Sequence, residues 1–254
     1  MLKVSIIGTG NVAKHLHKAF FNAEIVEIVQ VVGRNKKALS SFGIEEKTTS
    51  DFSEIKDADI YLIAVSDSAI SAVSQKLESK SGLVAHTSGA SSIEMLSEHK
   101  AYGVFYPLQT FSKDQEIDFR KVPVCVEANS KPNMEILKQL GREISENVHE
   151  VDSEQRQALH LSAVFVNNFT NHLFYIGNKI CKENKLPFEL LQPLIEETVQ
   201  KLKNTTPFDA QTGPARRRDQ ETLNSHIEQL GNLQDKEIYN LLSQSIQSTY
   251  GKKL

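Results

Sequence analysis

The stretch Leu2-Lys3-Val4-Ser5-Ile6-Ile7-Gly8-Thr9-Gly10-Asn11-Val12-Ala13 decides how this sequence folds. Leu2–Ile7 is a short apolar run, rich in β-branched residues and ended by glycine, which predicts a buried strand. Val12, Leu16, Ala19 and Phe20 then recur at helical spacing. Between strand and helix lies G-x-G-x-x-A. Its first glycine permits a tight turn, its second lets a pyrophosphate approach the backbone, and the small Ala13 lets the helix pack close to the strand. The helix start offers free N–H groups and the positive end of the helix dipole. Glycines alone are weak evidence, but this pattern sits at the head of a βαβ unit, the context that gives it meaning. Gly8, Thr9, Gly10, Asn11 and Val12 are therefore expected to bind a dinucleotide; a ligand-free glycine turn is the bland alternative.

Outward from this turn the alternation continues. Ile25–Val32, Ile60–Val65, Leu83–Thr87, Gly103–Tyr106, Val122–Glu127 and Asn147–Val151 read as strands. Helical stretches lie between several of them, for example Ala69, Val73 and Leu77, and then Lys131–Ile144. Strands alternating with helices predict a parallel sheet covered on both faces, most commonly doubly wound. After Asp152 strand signals stop. One helix is expected over roughly Ser153–Glu183, and a second carries Leu190, Leu191, Leu194, Ile195, Val199 and Leu202. A third holds Leu223, Ile227 and Leu230, and a fourth Ile238, Leu241, Leu242 and Ile246. The expected class is a doubly wound, Rossmann-type, mostly parallel α/β sheet over residues 1–151, followed by an all-α domain over 152–254.

Composition agrees and excludes other classes. The 254 residues are 39% hydrophobic and 24% charged, with a net charge of -3, an ordinary folded chain of about 1.7 average domains. Twenty-nine basic against 32 acidic residues give no field for nucleic acid or an anionic membrane. The longest apolar runs fall far short of the ~20 residues that span a bilayer, and no secretory signal is read at the N-terminus. Cys125 and Cys181 form neither a disulfide framework nor a metal motif, so no metal and a reducing cytoplasm are expected.

The second strand selects the dinucleotide. It ends Val32-Gly33-Arg34-Asn35-Lys36-Lys37, without the carboxylate that binds a ribose 2′-hydroxyl in NAD sites. Arg34, with Asn35, can instead grip a 2′-phosphate through paired N–H donors, which predicts NADP; a solvated Arg34 is the alternative. Val65-Ser66-Asp67 and His86-Thr87-Ser88 follow strands on the carboxyl edge where open α/β sheets bind ligands. Val65, Ser66, Asp67, Thr87 and Ser88 are expected to line the cofactor. His86 is expected either to act as a general acid or to hydrogen-bond its own loop.

Three further segments carry a family resemblance: Ala85-His86-Thr87-Ser88-Gly89-Ala90, Tyr106-Pro107-Leu108-Gln109-Thr110-Phe111, and Gly213-Pro214-Ala215-Arg216-Arg217-Arg218-Asp219. With the glycine turn, they resemble a family of Rossmann-like proteins classed as NADP oxidoreductases, whose C-terminal helical domain has no assigned function. That family is similar to pyrroline-5-carboxylate reductase, ketopantoate reductase, the β-hydroxyacid dehydrogenases and the deazaflavin-dependent NADP reductases. The resemblance implies a dinucleotide in the first domain, a small-molecule substrate beside the helices, and a homodimer formed through the helical domain. It also shows departures. The family usually writes His-Pro-Leu-Gln where this chain has Tyr106, and Arg-Gly-Asp where it has Arg217-Arg218-Asp219. The β-hydroxyacid relatives use a Lys and an Asn one turn apart, yet no Lys occurs from Gln139 to Asn178.

Candidate substrate and catalytic residues follow. His160, Val164, Asn167 and Asn171 are spaced 4, 3 and 4 apart and stack on one helix face, with Asn168 at its margin. Substrate binding and a satisfied polar network both explain such a face. Arg216, beside Arg217 and Arg218, follows a proline helix start, where cations oppose the dipole unless an anion is nearby. Tyr175-x-x-x-Lys179 with Ser162 matches the short-chain dehydrogenase set in letters only, because its Ser falls in a helix. His86, Tyr106 and Asn168 are the catalytic candidates; Gln109, His160, Asn167, Asn171 and Arg216 are the substrate-binding ones. The expected activity is hydride transfer between NADP and a small carbonyl or imine, with a non-catalytic NADP sensor or scaffold as the competing class.

Overall fold

The computed structural model describes residues 1–43, 47–113 and 115–250. Its chain forms two compact units, Met1–Phe165 and Val166–Leu254. The change of character at Asp152 marks a helix start: its carboxylate accepts from Gln155 N while Gln155 caps the Asp152 backbone in return. The units part further along, after Phe165.

The first unit is built on one eight-stranded sheet. The strands are β1 (Leu2–Ile7), β2 (Val26–Val32), β3 (Thr48–Thr49), β4 (Ile60–Ile63), β5 (Leu83–His86), β6 (Tyr102–Pro107), β7 (Val124–Ala128) and β8 (Val148–Glu150). Their order is β3-β2-β1-β4-β5-β6-β7-β8. Every neighbouring pair is parallel except β6 and β7, where Tyr106 lies opposite Cys125. The expected mostly parallel, doubly wound sheet is thus present. Only β3, a two-residue edge strand with no apolar run, gave no sequence signal.

The strands bury both faces, and the two-residue period sorts their side chains. Val4, Ile6, Ile60, Leu62, Leu83 and Ala85 enter one core layer; Ile7, Tyr61, Ile63 and Val84 enter the other. Helix α1 (Asn11–Phe21) closes the first layer with Ala13, Leu16 and Phe20. After α2 (Lys36–Ser40) and α3 (Ile70–Ser74), helix α4 (Lys131–Arg142) adds Leu137 and Leu140 to that layer. Helix α5 (Ser153–Ala163) carries Arg156, whose side chain is 0% exposed. Its guanidinium donates to Glu127 Oε2 and to the Ser91 carbonyl.

The second unit is helical. Residues Val164–Phe169 form a π turn that leads to α6 (Thr170–Glu183). Then come α7 (Gln192–Lys201), α8 (Pro207–Ala210), α9 (Pro214–Arg217), α10 (Gln220–Gln229) and α11 (Leu233–Tyr250). Among described hydrophobic residues of this unit, only Ala215 and Leu223 are buried. None of the described helices is long and apolar enough to cross a membrane.

Helix α9 is a single turn, so its first turn is also its last and Arg216 and Arg217 close it. Arg218 caps it with φ 58°, the left-handed region. Non-glycine residues there are strained by about 1–2 kcal/mol. Arg218→Gly should therefore raise the unfolding free energy by up to about 1 kcal/mol, measured by urea titration; a loss of stability would reject the strain.

The end of β5 holds a second buried polar group. The His86 ring, 0% exposed, accepts at Nδ1 from Ser88 N and meets the Ser92 carbonyl at Nε2, both at 3.2 Å. These bonds suit the neutral ring. Burial is the main reason its pKa falls from 6.5 to about 4. Burial also lowers His17 and His99. Above pH 6.5 these rings are neutral whether folded or unfolded. Below it the unfolded chain takes up protons that the folded chain refuses, so stability falls on acidification. His86 alone should remove about 3 kcal/mol between pH 6.5 and 4. Denaturation curves across this window should show the slope, and His86→Gln should flatten it; an unchanged slope rejects the assignment.

Candidate active site at the carboxyl edge of the sheet

The first unit contains a cavity of 780 Å³ along the carboxyl ends of β1, β2, β4, β5 and β6, a volume ordinary for small-molecule and cofactor sites. The glycine turn forms its floor. Gly8 has φ 141°, and a Cβ there would stand 2.0 Å from the Ala64 carbonyl oxygen, so strand β4 could not approach. A Cβ on Gly10 would meet nothing within 4 Å. That open space lies directly before α1, whose N-cap Gly10 supplies no side-chain cap and whose first turn holds no acid. Free N–H groups and empty space at one point suit a diphosphate. The adjoining edge comes from Gly33, Arg34 and Asn35, with Phe52, Val73 and Lys76 opposite in the lining. Arg34 is exposed, whereas Asn35 Oδ1 accepts from Ala38 N and caps α2.

All the residues expected to bind the dinucleotide line this one cavity: Gly8, Thr9, Gly10, Asn11, Val12, Arg34, Asn35, Val65, Ser66, Asp67, Thr87 and Ser88. The Asn11 side chain has a further role. Its Nδ2 donates to the Phe111 carbonyl at 2.8 Å, and His15 Nε2 reaches the Ser112 carbonyl at 3.0 Å. These bonds hold the segment after β6 across the head of α1, with Gln109 and Phe111 in the lining.

Tyr106 and His160 stand at the other end of the lining, with Tyr106 Oη 3.0 Å from His160 Nδ1. Gly89 lies against both: a Cβ there would meet His160 Nδ1 and Tyr106 Cζ at 2.7 Å. Burial pushes the Tyr106 hydroxyl up to about 12, with Cys125 adding to the rise, so it stays protonated at neutral pH.

His86, a catalytic candidate from its place after a strand, is outside this lining. It points with Val84 beneath the sheet and shapes the 88–92 loop. Asn167 and Asn168 lie in the π turn, and Asn171 follows on α6, all exposed in the helical unit. The i→i+5 pattern of that turn interrupts the 3.6-residue repeat on which their common face with His160 rested. Arg216 donates to the Asp209 and Gln211 carbonyls and lies over the Tyr250 ring, 5.1 Å from its centroid. Lys179 pairs with Asp235 at 2.8 Å, and Ser162 Oγ donates to its own helix at Ala158 O. Phe52 and Lys76 line the cavity without having been singled out in the sequence, because no local pattern marks them. Among the described residues no group of three or more His, Cys, Asp or Glu could hold a metal.

Comparison with known proteins agrees with this geometry. Residues 3–87 match the family described as NADP oxidoreductase, coenzyme F420-dependent, and residues 122–246 match a domain of unknown function, DUF2520. None of the curated proteins matches the chain. Among solved structures, a "putative NADP oxidoreductase" of Bacteroides fragilis is 36% identical with a TM-score of 0.90, the alignment covering 97% of this chain and 98% of that one. Two more distant structures share the fold. An imine reductase from Myxococcus stipitatus is 14% identical with a TM-score of 0.62, covering 98% and 94% of the two chains. Pyrroline carboxylate reductase of Plasmodium falciparum, solved with NADP bound, is 16% identical with a TM-score of 0.58, covering 96% and 98%. Identity with the Bacteroides fragilis protein across nearly both chains settles the family: this chain belongs to the NADP oxidoreductases that join an F420-dependent-type Rossmann domain to a DUF2520 domain.

Proposed function

We propose that the protein is an NADPH-dependent reductase of a small carbonyl or imine compound. One observation carries this reading. A single cavity joins a diphosphate-sized opening at the Gly8–Val12 turn to Arg34 at one end and to a Tyr–His pair at the other. The turn's backbone N–H groups hold the pyrophosphate, and the exposed Arg34 holds the 2′-phosphate. Thr87 and Ser88, which line the same cavity with Val65, Ser66 and Asp67, would face the nicotinamide end of the dinucleotide. The Thr87 hydroxyl donates to the Ile63 carbonyl at 3.3 Å, and Ser88 Oγ accepts from Ala90 N and Ser91 N. These bonds hold both residues in place. The cofactor supplies the hydride; the protein orients it and sets the charge around the acceptor.

The helical unit supports a homodimer. Val166, Phe169, Leu190, Leu194, Leu233 and Leu241 are each at least half exposed, on a unit with almost no buried apolar core of its own. So much apolar surface marks an interaction face. A second copy offers the same patches in two-fold arrangement and can cover them reciprocally. Of the two readings the stripes allow, packing within the chain and packing against a second copy, their exposure supports the second. Cys125 and Cys181 are both free thiols, which agrees with a reducing cytoplasm.

NADPH oxidation across a panel of imines, 2-keto acids and aldehydes tests the activity. Tight NADPH binding without turnover on any of them favours the sensor reading instead. Arg34→Ala should weaken NADPH binding about tenfold to a hundredfold, the worth of a charge-assisted hydrogen bond, and leave NADH unchanged. Equal loss for both cofactors rejects Arg34 as the selector. Gly10→Ala should keep the melting temperature yet weaken NADPH, whereas Gly8→Ala should lower the melting temperature itself. Light scattering at micromolar concentration should return twice the 28.5 kDa chain mass; the single-chain mass rejects the dimer.

A further inference from the structure

The cavity's far end holds two side chains that neither cofactor binding nor folding uses up. Tyr106 ends β6 and His160 sits on α5, 54 residues away, with Tyr106 Oη and His160 Nδ1 3.0 Å apart. The rings meet edge-on at 6.0 Å between centroids. A hydroxyl can accept from an imidazolium Nδ1–H or rotate to donate to a neutral Nδ1, so the bond survives both charge states of the ring. With Nδ1 taken, Nε2 is the ring nitrogen left to a molecule in the cavity that both residues line.

The support of this pair is rigid, as a proton-transfer site needs. On α5, Ser153, Arg156, Gln157 and His160 share one face, and the first three bond the loop that leads from β5. Ile93 N donates to Ser153 Oγ at 3.2 Å, Arg156 donates to the Ser91 carbonyl, and Gln157 Nε2 donates to the Ala90 carbonyl at 3.0 Å. Gly89, on the same loop, leaves no room for a side chain beside the pair. The charged and titratable groups that act on Tyr106 are Cys125 across the strand pair, Arg156 from α5 and Asp67 from the segment after β4. Arg156 is already bound by Glu127.

We propose that His160, held by Tyr106, is the general acid of the reduction. This rests on the reductase reading above. As the hydride adds to the carbonyl carbon, the C=O π pair moves to oxygen. That oxygen takes the proton from Nε2 of the His160 imidazolium, which becomes neutral. NADPH is oxidised, the carbonyl is reduced to an alcohol, and charge and atoms balance; an imine becomes an amine in the same way. Tyr106 keeps its proton throughout and serves as the positioning residue.

The test compares wild type with Tyr106→Phe, Tyr106→His and His160→Gln on the carbonyl substrate that wild type turns over best. NADPH affinity should stay within twofold in every variant, which also reports the fold. His160→Gln should lower kcat about a hundredfold and abolish the fall in rate that wild type shows as pH rises. Tyr106→Phe should lower kcat about tenfold, and Tyr106→His, which restores a hydrogen-bonding partner, should recover most of it. Variants with kcat within threefold of wild type and an unaltered pH profile overturn the acid while leaving the reductase standing. Wild type that binds NADPH but reduces nothing overturns both.

Discussion

A guanidinium with no exposed surface ties the first unit together. Arg156 reaches Glu127 on β7, the Ser91 carbonyl after β5, and Ser153 within its own helix. Ser153 in turn donates to both Glu127 oxygens, at 3.1 and 3.0 Å. A buried charge is tolerated only when paired and hydrogen-bonded, and removing one partner of such a pair typically destabilises by about 3–5 kcal/mol. Here the pairing joins a strand of the antiparallel extension, a loop that lines the cavity and the helix that carries His160. The positions of Gly89, Tyr106 and His160 relative to one another all depend on it.

The sheet was legible because its strands are buried on both faces and therefore read as continuous apolar runs between turn residues. The glycine turn was legible because sterics admit few residues there: a Cβ at Gly8 would overlap a backbone oxygen, and Ala13 packs into the first core layer. His86 was legible only in place. Its position after a strand put it on the ligand edge, but the two-residue period sets it with Val84, pointing down into the protein. Reading parity as well as position separates it from Thr87, which lines the cavity. Arg156 was not legible at all. In an amphipathic helix an arginine beside Glu154, Gln155 and Gln157 reads as a solvated face, and only tertiary packing shows that it is buried.

The helical unit shows the converse limit. Its stripes at Leu190–Leu202 and Ile238–Ile246 were plain in the sequence, and helices α7 and α11 form there. Periodicity says that a face must be covered, not by what. A stripe satisfied within one chain and a stripe satisfied by a second chain have the same spelling. Likewise Pro214 marked a helix start correctly, but not that the helix would end one turn later.

Gly33 and Arg34 are neighbours under opposite constraints. A Cβ on Gly33 would stand 2.4 Å from the Thr9 methyl, so the loop after β2 and the glycine turn after β1 interlock as one surface. Arg34, the next residue, is exposed. Position 34 can therefore take another side chain without moving the backbone beneath it, whereas a side chain at position 33 would push the two turns apart. Along this edge of the cavity one residue is fixed by sterics, and the next is free to vary in size and charge.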